Sequence, residues 1–231
     1  MNTDQLKHIP FFTDIDTTSL SKLAQCSSLK HFDKGELLFF HGDEAVYFYI
    51  VSSGWVKLFR DTLDGQESFL GLVTKGDVVG EINFTQKLHL CSAKAVNETD
   101  ILFVPNNALQ ESIKDNSMLA SKIIKTLNYT ISTLELQLEH ASTMNAAQRL
   151  GCFILRLANY KQTKVKVTLP YDKTLIASYL GMKLETFSRA LNQLKSIGVT
   201  VEKNILFIED LQDLVSFSCV SCSLSYDSCK E

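Results

Sequence analysis

The sequence lacks any apolar run approaching the roughly 18 residues that a membrane span requires. Its first ten residues carry Asp4, Lys7 and His8 where a signal peptide needs an uninterrupted apolar stretch. It also has no phosphate-binding loop, no G-x-S-x-G nucleophile elbow and no H-E-x-x-H zinc helix. These absences favour a cytoplasmic protein without a membrane segment that is not an enzyme.

What the chain does contain is typical of a folded protein of two domains. It has 231 residues, of which 45% are hydrophobic and 21% charged, and domains usually hold roughly 100 to 200 residues. The net charge of −3 is unevenly spread, because residues 145–216 hold ten Lys or Arg against six Asp or Glu. This basic excess indicates that the C-terminal part faces a polyanion.

The N-terminal part has the pattern of a β-sheet domain. Short strings such as LLFF, YFYIV, WVKLF and FLGLV alternate with turn signals about every ten residues. The turn glycines are Gly35, Gly42, Gly54, Gly65, Gly76 and Gly80. We predict a β-roll over residues 1–114, with short helices at residues 6–12 and 19–26 that cap the end of the sheet.

Residues 115–143 are predicted to form one long helix with a narrow apolar seam. Apolar residues recur at alternating spacings of three and four, which is the pattern of a helix that pairs with a parallel copy of itself. The seam consists of Ile124, Leu127, Ile131, Leu134, Leu138 and Ala141. A homodimer follows as a prediction, and a helix buried within one chain is the alternative.

Residues 144–216 are predicted to form a helix-turn-helix followed by a hairpin. Helices are expected over residues 146–159 and from Asp172, as a cap, to Leu180, with a strand between them at residues 164–169. Gly181 suits the turn before the next helix at residues 184–197.

A hairpin completes this domain and supplies its wing. Residues 199–208 alternate around the turn-favouring pair Lys203 and Asn204. Helix, turn, helix and hairpin together give a winged helix-turn-helix, so the whole chain is predicted to be of the α+β class. Residues 217–231 are left as a cysteine-containing tail.

The second helix of this motif carries polar groups suited to reading bases. Glu185, Ser188, Arg189 and Asn192 share one face, opposite an apolar face that includes Phe187. Arginine bonds guanine bidentately, and glutamate accepts from cytosine. The candidate residues for contacts with double-stranded DNA are Lys183, Glu185, Thr186, Ser188, Arg189, Asn192 and Lys203. A solvated face on an ordinary helical hairpin remains the alternative.

Over its full length the chain resembles the cyclic AMP receptor protein and fumarate-nitrate reduction regulator (CRP/FNR) superfamily. The resemblance lies in Gly35-Glu36, GDEAVYFYIVSSGWVKLFR, Gly80-Glu81, the long helix, NAAQRLGCFILRLA and LGMKLETFSRALNQLKSIG. It implies a cyclic-nucleotide-binding-like jelly roll and a homodimeric transcription regulator that contacts RNA polymerase. It also implies that Glu185, Ser188 and Arg189 read an inverted repeat of half-sites resembling TTGAT.

The position that binds the cyclic phosphate in nucleotide-responsive relatives is altered. They carry Arg-Ser-Ala or Arg-Thr-Ala, whereas this chain has Cys91-Ser92-Ala93. Without the arginine the buried phosphate has no fixed cation, although Lys87 or Lys94 could reach it. Cyclic AMP is therefore not the expected ligand. A cyclic-nucleotide-responsive regulator, or a non-enzymatic nucleotide-binding module, stays as the alternative function.

The last thirteen residues contain a C-x2-C-x6-C pattern formed by Cys219, Cys222 and Cys229. Three thiolates with one further ligand suit a [4Fe-4S] cluster or zinc, and a thiol switch or simple tail thiols are the alternatives. Relatives usually place their cluster near the N-terminus, where this chain has only Cys26, but those of bacilli carry a C-terminal cysteine cluster. The fourth ligand is left open among Asp227, His140, Glu139 and Cys152.

A third sensing route follows from resemblance to the Dnr-like branch, whose members respond to nitric oxide through haem. That resemblance lies in HGDEAVYFYIVSSGWVKLFRDTLDGQE. The available imidazoles are His8, His31, His41, His89 and His140. None has a spacing that specifies haem. The signal is therefore expected to be oxygen, nitric oxide or redox state.

Overall fold

The computed structural model describes residues 3–79, 87–158, 164–169 and 173–222. The chain divides into two compact units, Met1–Ile131 and Ser132–Glu231. Within the described ranges no helix is both long and apolar enough to cross a membrane.

The first unit is built on two four-stranded antiparallel sheets. The strands are β1 Ser28–Phe32, β2 Leu37–Phe39, β3 Tyr47–Ser53, β4 Trp55–Asp61, β5 Glu67–Thr74, β6 Val78–Val79, β7 Ser92–Ala95 and β8 Thr99–Pro105. The strand orders in the two sheets are β1-β8-β3-β6 and β2-β7-β4-β5. The β-roll predicted from the spacing of short strings and glycines is confirmed.

Strand β3 shows how this unit is packed, because its alternate residues face two different cores. Phe48 and Ile50 pack with the helical residues of the unit, whereas Tyr49 and Val51 pack between the sheets. Gly54 makes the turn into β4 at φ +84°, where an added Cβ would lie 2.4 Å from Thr99 Oγ1. Both a left-handed backbone and a close approach therefore require glycine there.

The helices of the first unit are α1 Thr3–Lys7, α2 Thr17–Cys26 and α3 Asn106–Asp115, with a 3-10 turn at Pro10–Phe12. The single helix predicted over residues 6–12 is wrong, because Ile9 is extended at φ −90° and ψ 122° and separates α1 from the 3-10 turn. Helix α2 begins two residues earlier than predicted, since the Asp16 carboxylate accepts a hydrogen bond from the Ser19 amide at 2.9 Å.

Helix α4, Ser117–Thr143, is the predicted long helix. Leu119 and Ile123 near its start are buried in the core of the first unit, and Leu127 packs partly against that core. The remaining large seam residues are exposed in the single chain: Ile124 by 57%, Ile131 by 54%, Leu134 by 51% and Leu138 by 72%. Most of the seam is therefore at least half exposed among the described residues, which argues against the alternative of a helix buried within one chain.

The second unit also contains α5 Ala146–Leu157, β9 Val165–Thr168, α6 Lys173–Tyr179, α7 Leu184–Leu194, β10 Val199–Glu202, β11 Ile205–Ile208 and α8 Leu211–Ser218. The strands form an antiparallel sheet in the order β10-β11-β9. Asn145 and Gln148 cap the start of α5 reciprocally, through hydrogen bonds of 3.0 Å each. Helix α5 ends at Leu157, earlier than predicted, while the proposed cap at Asp172 lies outside the described residues.

Candidate nucleic-acid interface

The turn between α6 and α7 sets the geometry of the helix-turn-helix. Gly181 lies in the left-handed region at φ +62°, as the sequence predicts. The Met182 amide donates back to the Ala177 carbonyl at 2.9 Å and closes the end of α6. This short turn allows α7 to pack against the same core as α6.

Helix α7 is anchored by one face and free on the other. Phe187, Leu191 and Leu194 are buried. Leu150 of α5 and Leu214 of α8 are buried in the same unit. The opposite face is polar, and all four residues predicted to lie on it are exposed: Glu185, Ser188, Arg189 and Asn192. The described part of the chain therefore presents this face to a partner.

The polar face is organised before any partner binds. Arg189 forms an ion pair with Glu185 one turn earlier on the helix, and both side chains are 74% exposed. The Ser188 hydroxyl donates to the Leu184 carbonyl at 3.0 Å. Because these pairs are exposed, their groups can exchange partners with base edges at little desolvation cost.

The first turn of α7 is a candidate site for a phosphate. Lys183 occupies the N-cap position and provides no side-chain cap, so the first amides of the helix keep their donors for another acceptor. Helix N-termini bind phosphate through such amides, and the lysine side chain is exposed beside them. Thr186 is only half-buried in the same turn.

The wing is the two-residue hairpin between β10 and β11. Val199 pairs with Ile208 at its base and Glu202 with Ile205 at its tip. Lys203 forms the turn with a positive φ of +57° and is exposed. On the same sheet the Lys166 ammonium lies 5.1 Å from the centre of the Phe207 ring. The described wing therefore exposes lysine at its tip.

The tail begins as a continuation of α8 rather than as a separate segment. Helix α8 was not predicted, although Asp210 caps it and Leu211, Leu214, Val215 and Ser218 recur at helical spacing. A 3-10 turn at Cys219–Ser221 follows. Sequence reasoning could have found α8 from these two signals.

One tail cysteine contacts a predicted ligand candidate on α4. The Cys222 sulfur lies 3.4 Å from Nε2 of His140, which is buried. Burial lowers the pKa of His140, and the nearby Arg156 and Arg149 lower it further against the effect of Glu139. Within the described ranges no three His, Cys, Asp or Glu residues come together to hold a metal. Cys229 and Asp227 lie outside the described residues.

Two residues close to the altered position Cys91 have partners within the protein. Ser92 is buried and its hydroxyl accepts a hydrogen bond from the His41 amide at 3.0 Å. Lys94 pairs with Glu67 at 3.0 Å and lies over the Phe59 ring. Residues 80 and 81, the Gly-Glu pair of the resemblance, lie outside the described part.

The histidines of the β-roll have different surroundings. His89 is buried, its ring centre is 3.7 Å from that of Phe39, and its Nε2 lies 3.4 Å from the Tyr49 hydroxyl. His31 is exposed and pairs with Asp100 at 2.8 Å. His8 and His41 are exposed.

Two family models match the chain. A cyclic nucleotide-binding domain matches residues 29–116, and a Crp-like helix-turn-helix domain matches residues 148–217. These ranges correspond to the β-roll of the first unit and to the helix-turn-helix and wing of the second.

Known proteins resemble the chain over most of its length. An anaerobic regulatory protein of Haemophilus influenzae is 27% identical over 194 residues, which are 82% of this chain and 76% of the relative. An anaerobic regulatory protein of Bacillus subtilis is 22% identical over 225 residues, or 93% and 94% of the two chains. A solved structure from Ruegeria pomeroyi, provisionally described as a cyclic nucleotide binding protein, is 32% identical with a TM-score of 0.70 and covers 94% of this chain and 99% of its own.

Proposed function

Because the chain belongs to the CRP/FNR family of transcription regulators, which are not enzymes, we propose that it binds an inverted DNA repeat as a homodimer and responds to oxygen, nitric oxide or redox state. The α+β fold, with a β-roll, a long helix and a winged helix-turn-helix, is that of the family. The observation that carries the DNA proposal is the exposed polar face of α7 beside an exposed lysine on the wing.

The contacts are divided by chemistry. Arg189 bonds a guanine, Glu185 accepts from a cytosine amino group, and Ser188 and Asn192 read neighbouring base edges. Lys183, Thr186 and Lys203 contact phosphates at the start of α7 and at the wing, which positions the helix without reading sequence. The half-sites resemble TTGAT. Binding of a duplex with two such half-sites, compared with a scrambled duplex of the same length, tests this assignment.

The dimer is proposed to form along the exposed seam of α4. Two parallel copies of this helix bury Ile124, Ile131, Leu134 and Leu138 against each other, with Leu127 and Ala141 completing the seam. Dimer and inverted repeat then share one two-fold axis, so that each α7 meets one half-site. Sedimentation at micromolar concentration tests the proposal, and a stable monomer would contradict it.

The signal is proposed to act at the tail cysteines. The C-x2-C-x6-C pattern supplies soft thiolate donors for an oxygen-sensitive [4Fe-4S] cluster held by Cys219, Cys222 and Cys229. The cluster would supply a reaction with oxygen that changes the tail, while this chain supplies the attachment of the tail to α8. The support comes from the sequence pattern, since the described residues bring only Cys222 and His140 together.

Zinc is the second candidate, because it takes sulfur and nitrogen donors and the described residues bring Cys222 Sγ within 3.4 Å of His140 Nε2. These two residues would hold the metal together with other tail thiolates. Purification without oxygen, with iron, sulfide and zinc analysis and an absorption spectrum, separates the two metals. Colourless protein free of iron and zinc would remove both.

Cyclic AMP and haem rank lower as signals. The missing arginine at Cys91 and the pairing of Lys94 with Glu67 leave the cyclic phosphate without a cation from these positions. Among the imidazoles, His89 is stacked inside the β-roll and His31 is paired with Asp100. Titrations with cyclic AMP and with haem are each expected to give no binding.

Regulation is proposed to work through a shift between two arrangements of the dimer. A change at the tail alters how the two α4 helices pair, and this sets the separation of the recognition helices relative to one turn of DNA. RNA polymerase is the further partner proposed for the DNA-bound dimer. Whether the dimer activates or represses depends on its position at the promoter.

A further inference from the structure

The second unit contains a pocket that shares His140 with the proposed tail site and Ala141 with the dimer seam but extends beyond both. It has a volume of about 170 Å³ and lies between the C-terminal half of α4, helix α5 and the end of α6. An apolar cavity of about 150 Å³ holds a molecule as large as benzene. The pocket is therefore large enough for a small organic molecule.

Two arginines carry the charge of the pocket lining, Arg149 and Arg156 of α5. His140 of α4 lies in the same lining. None of the described residues that line the pocket is an aspartate or a glutamate.

Arg149 gives the second observation. One end of its guanidinium donates to the Met144 carbonyl at 3.3 Å. Its Nε is buried and has no hydrogen-bond partner within the described residues. A buried donor without an acceptor is costly, and buried polar groups in native proteins are nearly always paired. Because Arg149 also lines the pocket, an anion bound there would compensate the charge of its guanidinium.

The rest of the lining defines the ligand more closely. Leu136, Phe153 and Leu180 supply an apolar wall. At another part of the wall the Gln137 amide donates to the Tyr179 hydroxyl at 3.3 Å, which ties α4 to α6. An anion with an apolar body satisfies both parts of the pocket, whereas a fully hydrated inorganic ion would leave the apolar wall wet.

We propose that this pocket binds a small organic carboxylate, with the carboxylate on Arg149 and its carbon body against Leu136 and Phe153. Guanidinium and carboxylate are complementary in shape and charge. By comparison with the benzene cavity, the volume limits the carbon body of the ligand to about the size of one benzene ring. The pocket touches both α4 and Gly181 of the turn before α7, so a ligand there lies where a second signal could reach the recognition helix.

Calorimetric titration of the full-length protein with benzoate tests the site, and benzamide serves as the uncharged probe of the same shape. We expect benzoate to bind at least tenfold more tightly than benzamide. Arg149→Met keeps the aliphatic stem and should weaken benzoate binding at least tenfold. Arg60→Met, on β4 of the first unit, is the matched control and should leave it unchanged.

Leu136→Trp, which fills the pocket with a bulky side chain and leaves the arginine, provides a second variant should Arg149→Met fail to fold. It should abolish benzoate binding while thermal unfolding stays cooperative. Equal binding of benzoate and benzamide, or no benzoate binding at millimolar concentration, would overturn the proposal. Inorganic phosphate bound as tightly as benzoate would overturn the assignment to an organic acid. Because no DNA is present, these results are independent of the proposed function.

Discussion

Leu138 provides the sharpest test of the dimer, because it is the most exposed large residue of the α4 seam. In the single chain 72% of its surface is exposed, and a parallel partner helix would cover it. Replacing it by alanine shortens the side chain by three carbons without disturbing the helix, since alanine is the best helix former. The substitution should therefore act on association and leave the fold of each chain intact.

The size of the effect follows from the buried area. Three carbons are worth about 2.4 kcal/mol when fully buried, at about 0.8 kcal/mol for each CH₂. Since 72% of Leu138 is available to the partner, the loss is about 1.7 kcal/mol in each protomer and about 3.5 kcal/mol in the dimer. At about 1.4 kcal/mol for each tenfold change, the dimer dissociation constant should rise about 300-fold.

Sedimentation equilibrium over a wide range of protein concentrations measures this constant directly. Tyr129→Ala is the matched control, because Tyr129 is on the same helix and 55% exposed but lies off the seam. We expect it to leave association unchanged. Equal weakening by the two substitutions, or an unchanged constant for Leu138→Ala, would refute the seam as the dimer interface.

Three further predictions concern single residues. Gly151→Ala should lower the free energy of unfolding, measured by urea titration, by about 1 to 2 kcal/mol. The added alanine Cβ would lie 2.0 Å from Ser218 Oγ, and this overpacking outweighs the gain in helix propensity. The double substitution Gly151→Ala and Ser218→Ala should recover most of the lost stability. Burial lowers the pKa of His89 below 6.5, so the unfolded chain takes up the proton first and stability falls as pH drops through 6.5. His89→Phe should reduce the difference in unfolding free energy between pH 7.5 and pH 5.5. Asp100 raises the pKa of His31, so His31 stabilises the fold at low pH. His31→Gln removes that stability and should increase the same difference. Lys203→Asn introduces a residue that also tolerates the left-handed turn conformation. It should reduce the slope of log binding constant against log salt concentration by about 1. An unchanged slope would place the wing away from phosphate.

The sheet and the helix-turn-helix were predictable because their signals are local. A period of two along β3 places Phe48 and Tyr49 in different cores, and turn glycines separate the strands. In α7 the apolar spacing of Phe187, Leu191 and Leu194 sets which face is buried. The exposed face that carries Arg189 then follows from helix geometry alone.

The features missed by the sequence analysis depend on contacts between distant residues or on single backbone conformations. Ile9 breaks the first predicted helix through its extended backbone, which no periodic pattern reveals. The contact of Cys222 with His140 joins residues 82 positions apart. The buried Nε of Arg149, which has no hydrogen-bond partner in the described part of the chain, is revealed only by the packing of α4, α5 and α6. These features depend on tertiary packing, so composition and residue spacing could not predict them.

The central claim is that α7 reads a DNA sequence through Arg189, and fluorescence anisotropy with a labelled duplex tests it most directly. The duplex carries two TTGAT half-sites in an inverted repeat, and a scrambled duplex measures non-specific binding. Arg189→Ala should weaken specific binding about 5- to 150-fold, the equivalent of about 1 to 3 kcal/mol, and leave binding to the scrambled duplex nearly unchanged. Specific binding that survives the substitution unaltered would contradict the account.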